Sequence, residues 1–414
     1  MMADSKWNIL PLEEIAEICD VLRNPINAKE RQKRIAGKNP LELYPYFGAT
    51  GQVGYIDDYI TDGEYVLLGE DGAPFLNPFA QKSYIISGKT WVNNHAHVLK
   101  SKSNNRFLCY YLNYFNYNGY VSGTTRLKLT QNALKQIPVP NPSIEEQQRI
   151  VAKIEELFSK LDKGVEELNK TKEQLKIYRQ AVLKEAFEGK WSYDNRQGVN
   201  IETVDKTLVV ELPTLPNEWE YVYLSKLGEL SRGKSKHRPR NDKKLFEDGK
   251  YPFVQTGDVK AAKKYLTSFS TMYGDFGLAQ SKLWKKGTLC ITIAANIAET
   301  CILGIDACFP DSVVGFDPQE DIVDRDYVRY FIEASKIRLS AFAPATAQKN
   351  INLTTLENLI IPYCHIDEQK YIVTEIESRL SVCDKIEQTV NESLQKAESL
   401  RQSILKQAFE GKLV

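Results

Sequence analysis

The chain carries the sequence Ala186-Phe187-Glu188-Gly189-Lys190 and repeats it 222 residues later as Ala408-Phe409-Glu410-Gly411-Lys412. The same offset, carried back without a gap, aligns residues 144–190 with residues 366–412. Of these 47 pairs, 20 are identical, far more than chance would produce. The chain therefore contains an internal repeat, and a repeat has to be recognised before other features are interpreted.

Both copies of this repeat have the pattern of a long amphipathic helix. Apolar residues recur every seven positions at Ile154, Leu161, Leu168, Leu175 and Val182 and, in the second copy, at Ile376, Cys383, Val390, Ala397 and Ile404. Ser143 and Glu146 fit a capping box, and Gly189 stands where a helix stops. The pattern predicts helices of ~65 Å whose apolar seams must be buried against another part of the protein. Each helix could bury its seam separately on its own domain, but the matched lengths and seams favour an antiparallel pair.

Length and composition indicate a globular protein of more than one domain. The chain has 414 residues, of which 42% are apolar and 10% aromatic, enough for two or more cores. It has no run of eighteen apolar residues and no signal-peptide pattern, which predicts a soluble, cytoplasmic protein without a membrane partner. The seven cysteines are scattered and form no CxxC motif. Free, buried thiols in a reducing compartment are therefore expected.

The charge is balanced overall but clustered locally. The 54 basic residues equal the 54 acidic ones, which by itself argues weakly against a nucleic-acid partner. Residues 23–38, however, hold six basic side chains against Glu30, and residues 232–244 hold seven against Asp242. DNA responds to such local patches and not to the net charge.

The repeat extends beyond the helices. An offset of 212 aligns Trp7, Leu10, Leu12, Ile15, Glu17 and Ile18 with Trp219, Val222, Leu224, Leu227, Glu229 and Leu230. Runs of β-branched and aromatic residues between turn residues predict strands in each module. The predicted division is a first body at 1–142, a long helix at 143–190, a linker at 191–217, a second body at 218–362 and a second helix at 363–414. The predicted fold is α+β, with two globular α/β bodies joined by two long antiparallel coiled-coil helices in a pseudo-two-fold repeat.

One phosphate-binding motif is matched in full. The segment Gly228–Ser235 fits G-x-x-x-x-G-K-[ST], which in a P-loop lies between a strand and a helix. The residues that follow have no apolar face and include Pro239, which disfavours a helix. The first module has no such motif at the equivalent position, so we interpret the match as incidental. A P-loop ATPase with a coiled-coil arm remains an alternative, which ATP binding by the isolated chain would favour.

Other candidate sites are weaker. His95 and His97 alternate as they would on a strand and could hold a metal, but no third ligand is apparent and hydrogen bonding explains them more simply. No glycine-rich cofactor fingerprint is present. We therefore predict no catalytic, cofactor-binding or metal-binding residue on this chain.

Basic and polar side chains of the turns are better candidates, for DNA. Lys and Arg neutralise phosphates, while Asn, Gln, Thr and Arg can read base edges. For any single one of them, a solvated loop is the better explanation. The candidates are Lys33, Arg34, Thr50, Asn94, His95, Thr124, Thr125, Arg126, Arg232, Lys234, Lys236, Arg238, Arg240, Thr346, Gln348, Lys349 and Asn350.

The sequence resembles the specificity subunits of type I restriction–modification enzymes over nearly its whole length. The resemblance rests on module openings WNILPLEEI and WEYVYLSKL, on YPYFGATGQVGYIDD, WVNNHAHVL, YPFVQTGDV and ACFPDSVVGF, and on helices that start IEEQQRIV and IDEQKYIV and end AFEGK. It implies a non-catalytic subunit whose two target recognition domains each read one half of a split double-stranded DNA sequence. It also implies that the helices dock two methyltransferase (modification) subunits.

The resemblance assigns the cofactors to the partners. The methyltransferase subunits would bind S-adenosylmethionine, and motor-nuclease (restriction) subunits using ATP and Mg²⁺ would complete the restriction complex. A coiled-coil scaffold without a DNA role is the remaining alternative. Absence of DNA binding with the partners present, or salt-insensitive binding, would favour the scaffold.

We predict that the helices set the distance between the two half-sites. Inserting four residues after Asn169 adds about one helical turn, ~5.4 Å, which exceeds one base step of ~3.4 Å. If docking survives, the non-specific spacer should lengthen while both half-sites stay unchanged, because no recognition loop is altered. Mapping methylated adenines measures the spacing, and an active variant with the original spacing would show that the helices do not set it.

Overall fold

The computed structural model describes residues 6–191, 193–209, 211–341 and 350–414. The chain divides into two compact units. Unit 1 holds the chain up to Thr171 together with Gln388–Val414, and unit 2 holds Lys172–Glu387. Each unit thus contains one globular body and a part of both long helices.

The body of unit 1 combines short strands with four helices in its described residues. The strands are β1 (Ile9–Pro11), β2 (Ala16–Ile18), β3 (Tyr44–Gly48), β4 (Gly51–Ile56), β5 (Thr61–Asp62), β6 (Tyr65–Gly69), β7 (Ser83–Ile86), β8 (Lys89–Val92), β9 (Ala96–Ser101), β10 (Val121–Ser122), β11 (Lys128–Leu129) and β12 (Pro138–Pro140). The helices are α1 (Leu12–Ile15), α2 (Ala28–Ile35), α3 (Asn105–Tyr114) and α4 (Gln131–Lys135).

Unit 1 builds two four-stranded sheets from these strands. Their orders are β2-β9-β6-β7, which is antiparallel throughout, and β4-β3-β8-β5, in which β3 and β8 run parallel. Two further antiparallel pairs, β1 with β12 and β10 with β11, complete the body. The alternation of apolar residues in β6 and β9 buries Val66, Leu68 and Leu99 against α3.

The body of unit 2 repeats this plan. Its strands are β13 (Glu220–Tyr223), β14 (Gly228–Arg232), β15 (Tyr251–Phe253), β16 (Tyr265–Leu266), β17 (Thr271–Tyr273), β18 (Leu283–Trp284), β19 (Leu289–Thr292), β20 (Thr300–Leu303), β21 (Ala307–Cys308), β22 (Val313–Pro318) and β23 (Ile360–Tyr363). Its short helices are α6 (Thr256–Ala261), α7 (Asp275–Ala279), α8 (Arg325–Ala334), α9 (Lys336–Ala341) and α10 (Leu353–Glu357). The sheet orders β14-β22-β19-β20-β16 and β17-β15-β21-β18 match those of unit 1, with β16 added at one edge.

The two long helices confirm the predicted repeat. They are α5 (Ile144–Phe187) and α11 (Ile366–Phe409), each of 44 residues and separated by the same 222 positions as the sequence repeat. Each ends in a Schellman motif, in which Lys190 N–H donates to the Glu185 carbonyl at 3.1 Å and Lys412 N–H to the Gln407 carbonyl at 2.8 Å.

Each helix begins on the body that precedes it in the sequence. The buried side chain of Gln147 donates to the Pro142 carbonyl and accepts from the Ser103 hydroxyl at 2.9 Å. Its repeat equivalent, Gln369, donates to the Cys364 carbonyl and accepts from the Asp324 N–H at 2.9 Å. These amides join the first turn of α5 and α11 to the start of α3 and α8, which explains the glutamine shared by the two repeats.

Each helix ends on the body of the other repeat. Phe409, at the end of α11, packs against Tyr111 and Tyr114 of α3 with ring centroids 5.2 and 5.6 Å apart. Phe187, at the end of α5, packs against Tyr327 and Phe331 of α8 at 5.1 and 5.2 Å. The sequence repeat and the structural unit are therefore not the same segment, because the end of each helix is exchanged.

The helices run antiparallel in both units, as predicted. In unit 1, Arg401 pairs with Asp162 and lies 4.3 Å from the ring centroid of Phe158. In unit 2, Arg179 pairs with Asp384 at 2.7 Å and with Glu387 at 3.0 Å. Arg179 and Asp162 lie 222 residues before Arg401 and Asp384, so the same contact forms twice with exchanged partners.

The seam differs from the predicted heptads at one position. Ile154, Leu175, Val182, Ile376 and Cys383 are buried as predicted. Tyr178 and its repeat equivalent Leu400 belong to the second, interleaved apolar series that the heptad pattern also predicts at the seam, together with Ile150 and Ile372, but they are 46% and 50% exposed. The neighbouring arginines Arg179 and Arg401 lie against the partner helix instead, because they reach its carboxylates.

Two further features concern the cysteines and the apolar character of the helices. All seven cysteines are buried and free, as predicted. Within the described ranges, no helix combines the length and the apolar character needed to cross a membrane.

The two helix stops give a matched stability test. Gly189 and Gly411 both have positive φ, +63° and +70°, so alanine at either position should cost about 1 to 2 kcal/mol. A Cβ at Gly189 would also lie 2.5 Å from Pro216 Cγ, whereas at Gly411 the nearest atom is the flexible Lys6 Cδ at 3.2 Å. We expect Gly189→Ala to lower the denaturation midpoint more than Gly411→Ala in urea unfolding. Equal losses would show that Pro216 does not restrict this helix end.

Candidate nucleic-acid interface

Three connections of unit 1 lie together at one end of the sheet β2-β9-β6-β7, where β6 ends and β9 begins. They are the segment after β6, the turn before β9 and the hairpin β10–β11. Glu70 N–H donates to the His95 carbonyl at 2.8 Å, and Leu129 N–H donates to the Glu70 carbonyl at 2.7 Å. The tip of the β3–β4 hairpin adjoins them, since Asn93 N–H donates to the Phe47 carbonyl at 3.0 Å. We call these four segments the unit 1 loop cluster.

Ion pairs connect the segments of the unit 1 loop cluster. Two adjacent acids, Glu70 and Asp71, each bind two cationic or titratable side chains from other segments. The contacts are Arg126 Nη2 to Asp71 at 2.8 Å, His95 Nδ1 to Asp71 at 2.8 Å, Arg23 Nη1 to Glu70 at 2.5 Å and Lys128 Nζ to Glu70 at 3.2 Å. The basic side chains therefore lie together, but acids already offset much of their charge.

The equivalent loop cluster of unit 2 has the same backbone connections. Ile293 N–H donates to the Ser312 carbonyl at 3.0 Å, and Ile351 N–H donates to the Ile293 carbonyl at 2.9 Å. Asn350 bridges to Ala294 as Lys128 bridges to Asp71 in unit 1. These connections join three segments, the one after β19, the turn before β22 and the one at Asn350. We call these three, together with the basic segment after β14 that folds onto them, the unit 2 loop cluster.

The basic segment after β14 folds onto the turn before β22. Arg232 Nε donates to the Asp311 carbonyl at 2.9 Å, and Arg240 binds the Asp311 carboxylate at 2.8 and 3.0 Å. Arg238 donates to the carbonyl of Ser235 at 2.7 Å. The three arginines are therefore held within the cluster. Lys234 and Lys236 are exposed, and neither has an ion pair within the described residues.

The structure brings most of the predicted unit 1 residues together. Thr124, Thr125 and Arg126 form the exposed tip of the β10–β11 hairpin, and Arg126 is 61% exposed. Asn94 and His95 lie in the adjoining turn before β9, with Asn94 exposed. Thr50 is exposed at the tip of the β3–β4 hairpin. These remain candidate DNA contacts.

Lys33 and Arg34 lie apart from these loops, on α2. Arg34 is half-buried, pairs with Asp57 at 2.6 Å and stacks over the Trp91 ring at 5.0 Å. Lys38 joins the same carboxylate and, together with Arg34, lowers the pKa of Asp57. Asp57 follows the end of β4 that is opposite to the hairpin tip, so Arg34 has a packing role at this position. Lys33 is exposed.

Three of the predicted unit 2 residues, Thr346, Gln348 and Lys349, lie outside the described residues. Asn350, the fourth of that segment, is exposed at its bridge to Ala294. Asn350 therefore occupies the position in unit 2 that Lys128 occupies in unit 1.

The segment that matched the P-loop motif has another structure. Gly228–Arg232 is the strand β14, paired with β22, and no helix opens at Lys234-Ser235. Gly233 lies so close to the Phe309 backbone that a Cβ would be 2.3 Å from its carbonyl oxygen. The glycine therefore permits close packing of two turns, and the segment lacks the strand–loop–helix arrangement of a phosphate loop.

Sequence reasoning missed the acids and two of the cations of these clusters. Glu70, Asp71 and Asp311 hold the arginines in place, and Arg23 and Lys128 belong to the unit 1 network. The arginines bound by these acids lie 47 to 79 residues away in the chain, so no local pattern reveals the pairs. One signal was available, because Glu70 and Asp71 come two residues after the apolar run at 65–68, which has the composition of a strand.

Comparison with known proteins places this architecture in a family. The family model for the type I restriction modification DNA specificity domain matches residues 4–176 and 216–396, one match for each module. The chain belongs to the type I restriction–modification DNA specificity family. Both modules and both long helices therefore correspond to specificity subunits of this family.

Relatives and solved structures agree with the family assignment. This chain is 27% identical over 394 residues to a protein of Haemophilus influenzae described as a putative type I restriction enzyme specificity subunit. The alignment covers 94% of this chain and 89% of the relative. The chain is 26% identical to the EcoBI specificity subunit of Escherichia coli, covering 76% and 67%. The fold is similar to a structure of a type I R-M system (TM-score 0.71, 17% identity, 100% and 99% covered) and to the HsdS subunit from Thermoanaerobacter tengcongensis (TM-score 0.55, 17% identity, 98% and 97% covered).

Lys234 gives a test that separates DNA binding from nucleotide binding. We expect Lys234→Ala to weaken DNA binding by the assembled complex at every sequence and to reduce its salt slope by about 1, because one phosphate contact is lost. ATP handling by the complex should be unchanged. Lys226→Ala, which breaks a pair with Glu202 outside the loop cluster, is the control. ATP binding by the isolated chain that requires Lys234 would contradict the assignment.

Proposed function

We propose that the specificity chain is the non-catalytic DNA-recognition subunit of a type I restriction–modification enzyme. The loop cluster of unit 1 reads one half of a split target, and the loop cluster of unit 2 reads the other half. The proposal rests on one observation above all: the same sheet topology carries an equivalent loop cluster twice, with different side chains in each.

Differences between the clusters support two different half-sites. In unit 1 the cluster presents Thr124, Thr125 and Arg126 beside the acids Glu70 and Asp71. In unit 2 the positions equivalent to Glu70 and Asp71 are the apolar Ile293 and Ala294, and the exposed lysines Lys234 and Lys236 flank the cluster. Hydroxyl and guanidinium groups read base edges, whereas lysines chiefly bind phosphates. The two units would therefore contact DNA in chemically different ways.

Paired arginines can still serve as DNA contacts. Arg126 is exposed and bound to Asp71 through Nη2, which leaves its other donors available. The Asp71 carboxylate would hold the guanidinium in one orientation before DNA arrives, so less conformational entropy is lost on binding. The ion pair would therefore weaken the electrostatic attraction of Arg126 to DNA but fix the orientation of its guanidinium.

The proposal assigns catalysis to partner subunits. Two methyltransferase (modification) subunits would supply S-adenosylmethionine chemistry, and two motor-nuclease (restriction) subunits would add ATP- and Mg²⁺-dependent steps in the cytoplasm. Exposed apolar side chains on the long helices support docking there, among them Ile177, Val382 and Ile386 at 70%, 54% and 40% exposure.

Exchange of one body tests whether recognition is modular. We propose replacing residues 224–359 with the corresponding segment of another family member, because this keeps the β13–β23 pair and Trp219. Tyr327 and Phe331 should be retained, since Phe187 packs on them. Mapping of methylated adenines should then show one new half-site and one unchanged half-site.

The reciprocal exchange of residues 12–137 provides the control, with Phe107, Tyr111 and Tyr114 retained to keep the Phe409 contact. It should change the opposite half-site. If either exchange altered both half-sites, the two units would not read DNA independently and the proposal would be wrong.

A further inference from the structure

The turn between β19 and β20 carries one amide side chain in the unit 2 loop cluster. Residues 293–298 form this turn and read Ile-Ala-Ala-Asn-Ile-Ala, so Asn296 has the one polar side chain among them. Ile297 and Ala298 are buried in the core of unit 2, whereas Ala295 is exposed and Asn296 is half-buried. A base edge that hydrogen-bonds a side chain of this turn therefore has to bond Asn296.

Backbone hydrogen bonds close the turn. Thr292 N–H donates to the Glu299 carbonyl at 2.9 Å, and Ala298 N–H donates to the Thr292 carbonyl at 2.8 Å. Within the turn, Asn296 N–H donates to the Ala294 carbonyl at 2.8 Å. Residues 293–298 are thus held between the end of β19 and the start of β20, which limits the positions that Asn296 can take.

Two alanines of the turn have left-handed backbone conformations. Ala295 and Ala298 have φ values of +62° and +61°, which residues with a side chain rarely adopt. Gly72 is the residue of unit 1 equivalent to Ala295, and its φ is +70°. Strained residues of this kind persist where the surrounding contacts fix the backbone. Hydrogen bonds and core packing therefore impose one conformation on this turn.

A buried hydroxyl lies inside the turn. Thr292, the last residue of β19, is 0% exposed. Its Oγ1 accepts from the Glu299 N–H at 3.0 Å and donates to the Asn296 carbonyl. Unit 1 has Gly69 at this position, where a Cβ would lie 2.4 Å from the Ala73 Cβ. Unit 1 thus lacks the hydroxyl, which in unit 2 bonds directly to the backbone of the residue that carries the amide.

The Asn296 amide has unused hydrogen-bonding capacity. Its backbone N–H and carbonyl are bonded within the turn, but no described residue bonds its side-chain oxygen or nitrogen. An asparagine side chain can donate and accept at once. In the major groove, it bonds N7 and N6 of an adenine in this way. An amide on a fixed backbone is suited to such a pair of bonds, because little conformational freedom is lost on binding.

We propose that Asn296 reads an adenine of the unit 2 half-site and that Thr292 is the positioning residue that holds its turn. The Asn296 Nδ2 donates to adenine N7, and its Oδ1 accepts from the N6 amino group. Residues 70–75 of unit 1 contain no amide side chain, so the contact belongs to unit 2. This inference rests on the proposed function of the two loop clusters and assigns one base position within it.

Binding of single-base variants of the target tests the adenine contact. Methylated-adenine mapping and the exchange of residues 224–359 first identify the half-site of unit 2. Duplexes that each carry one changed base pair then compete for the complex with its methyltransferase subunits, at constant salt. Asn296→Ala should lower discrimination at one A·T pair of this half-site on the order of tenfold. Every other position should stay unchanged, because only the amide is lost.

Variants of two buried threonines test the positioning role. Thr292→Val keeps the branched shape but removes the hydroxyl, so it should lower discrimination at the same A·T pair without changing the affinity for non-specific DNA. Thr292→Ser keeps the hydroxyl and should restore discrimination. Thr288→Val is the matched control and should behave as the wild type. Thr288 is also buried, at the other end of β19, and its hydroxyl donates to the Lys285 carbonyl at 2.9 Å.

Discrimination at the unit 1 half-site, measured in the same complexes, shows whether each variant is folded and assembled. Wild-type discrimination in Asn296→Ala, or a loss at base pairs other than one A·T pair of the unit 2 half-site, would overturn the adenine contact. No effect of Thr292→Val, an equal effect of Thr288→Val or no rescue by Thr292→Ser would overturn the positioning role. If the wild-type complex discriminated at neither half-site, the proposed function itself would be wrong.

Discussion

The antiparallel contact between the two long helices is the constraint on which each unit depends. Arg179 pairs with Asp384 in unit 2, and their repeat equivalents Arg401 and Asp162 pair in unit 1. Because both aspartates are largely exposed, such pairs add at most about 1 kcal/mol each. Their importance lies in register, since a slip of either helix would separate both pairs at once. Burial of the apolar seam and of Phe187 and Phe409 supplies most of the stabilisation, roughly 2 to 3 kcal/mol for each phenylalanine.

Helix exchange follows from this register. Each helix starts on its own body through a buried glutamine, Gln147 or Gln369, and ends on the body of the other repeat through a phenylalanine. Neither unit has a complete core without the end of the other module's helix. The repeated AFEGK sequence is therefore a docking element, and its glycine ends the helix in the left-handed conformation that lets the chain turn away.

The loops of the two clusters differ in sequence on this common frame because the backbone links between them need no particular side chain. Main-chain hydrogen bonds join equivalent loops in both units, through Glu70 and His95 in one and through Ile293 and Ser312 in the other. Side chains on these loops were free to differ. Unit 1 has a network of acids and cations around His97. Unit 2 has apolar residues in place of Glu70 and Asp71, and the exposed Lys234 and Lys236 lie beside its loops.

The sequence by itself determined the internal repeat and the two equal helices with their stops, and it favoured the antiparallel pairing of these helices. These features depend on local periodicity, on capping residues and on similarity at a fixed offset, all of which are written along the chain. It also indicated the exposed loops at Thr124–Arg126 and at Lys234. Only the tertiary structure decided that each helix ends on the other body, that Arg34 packs against Asp57 and Trp91, and that Glu70, Asp71 and Asp311 hold the arginines. It alone placed the two ring nitrogens of His97 within hydrogen-bonding distance of the Asp20 carboxylate and the Leu129 carbonyl. Those contacts join residues far apart in sequence, and their partners are selected by how sheets and helices pack, a property that no local pattern of residues specifies.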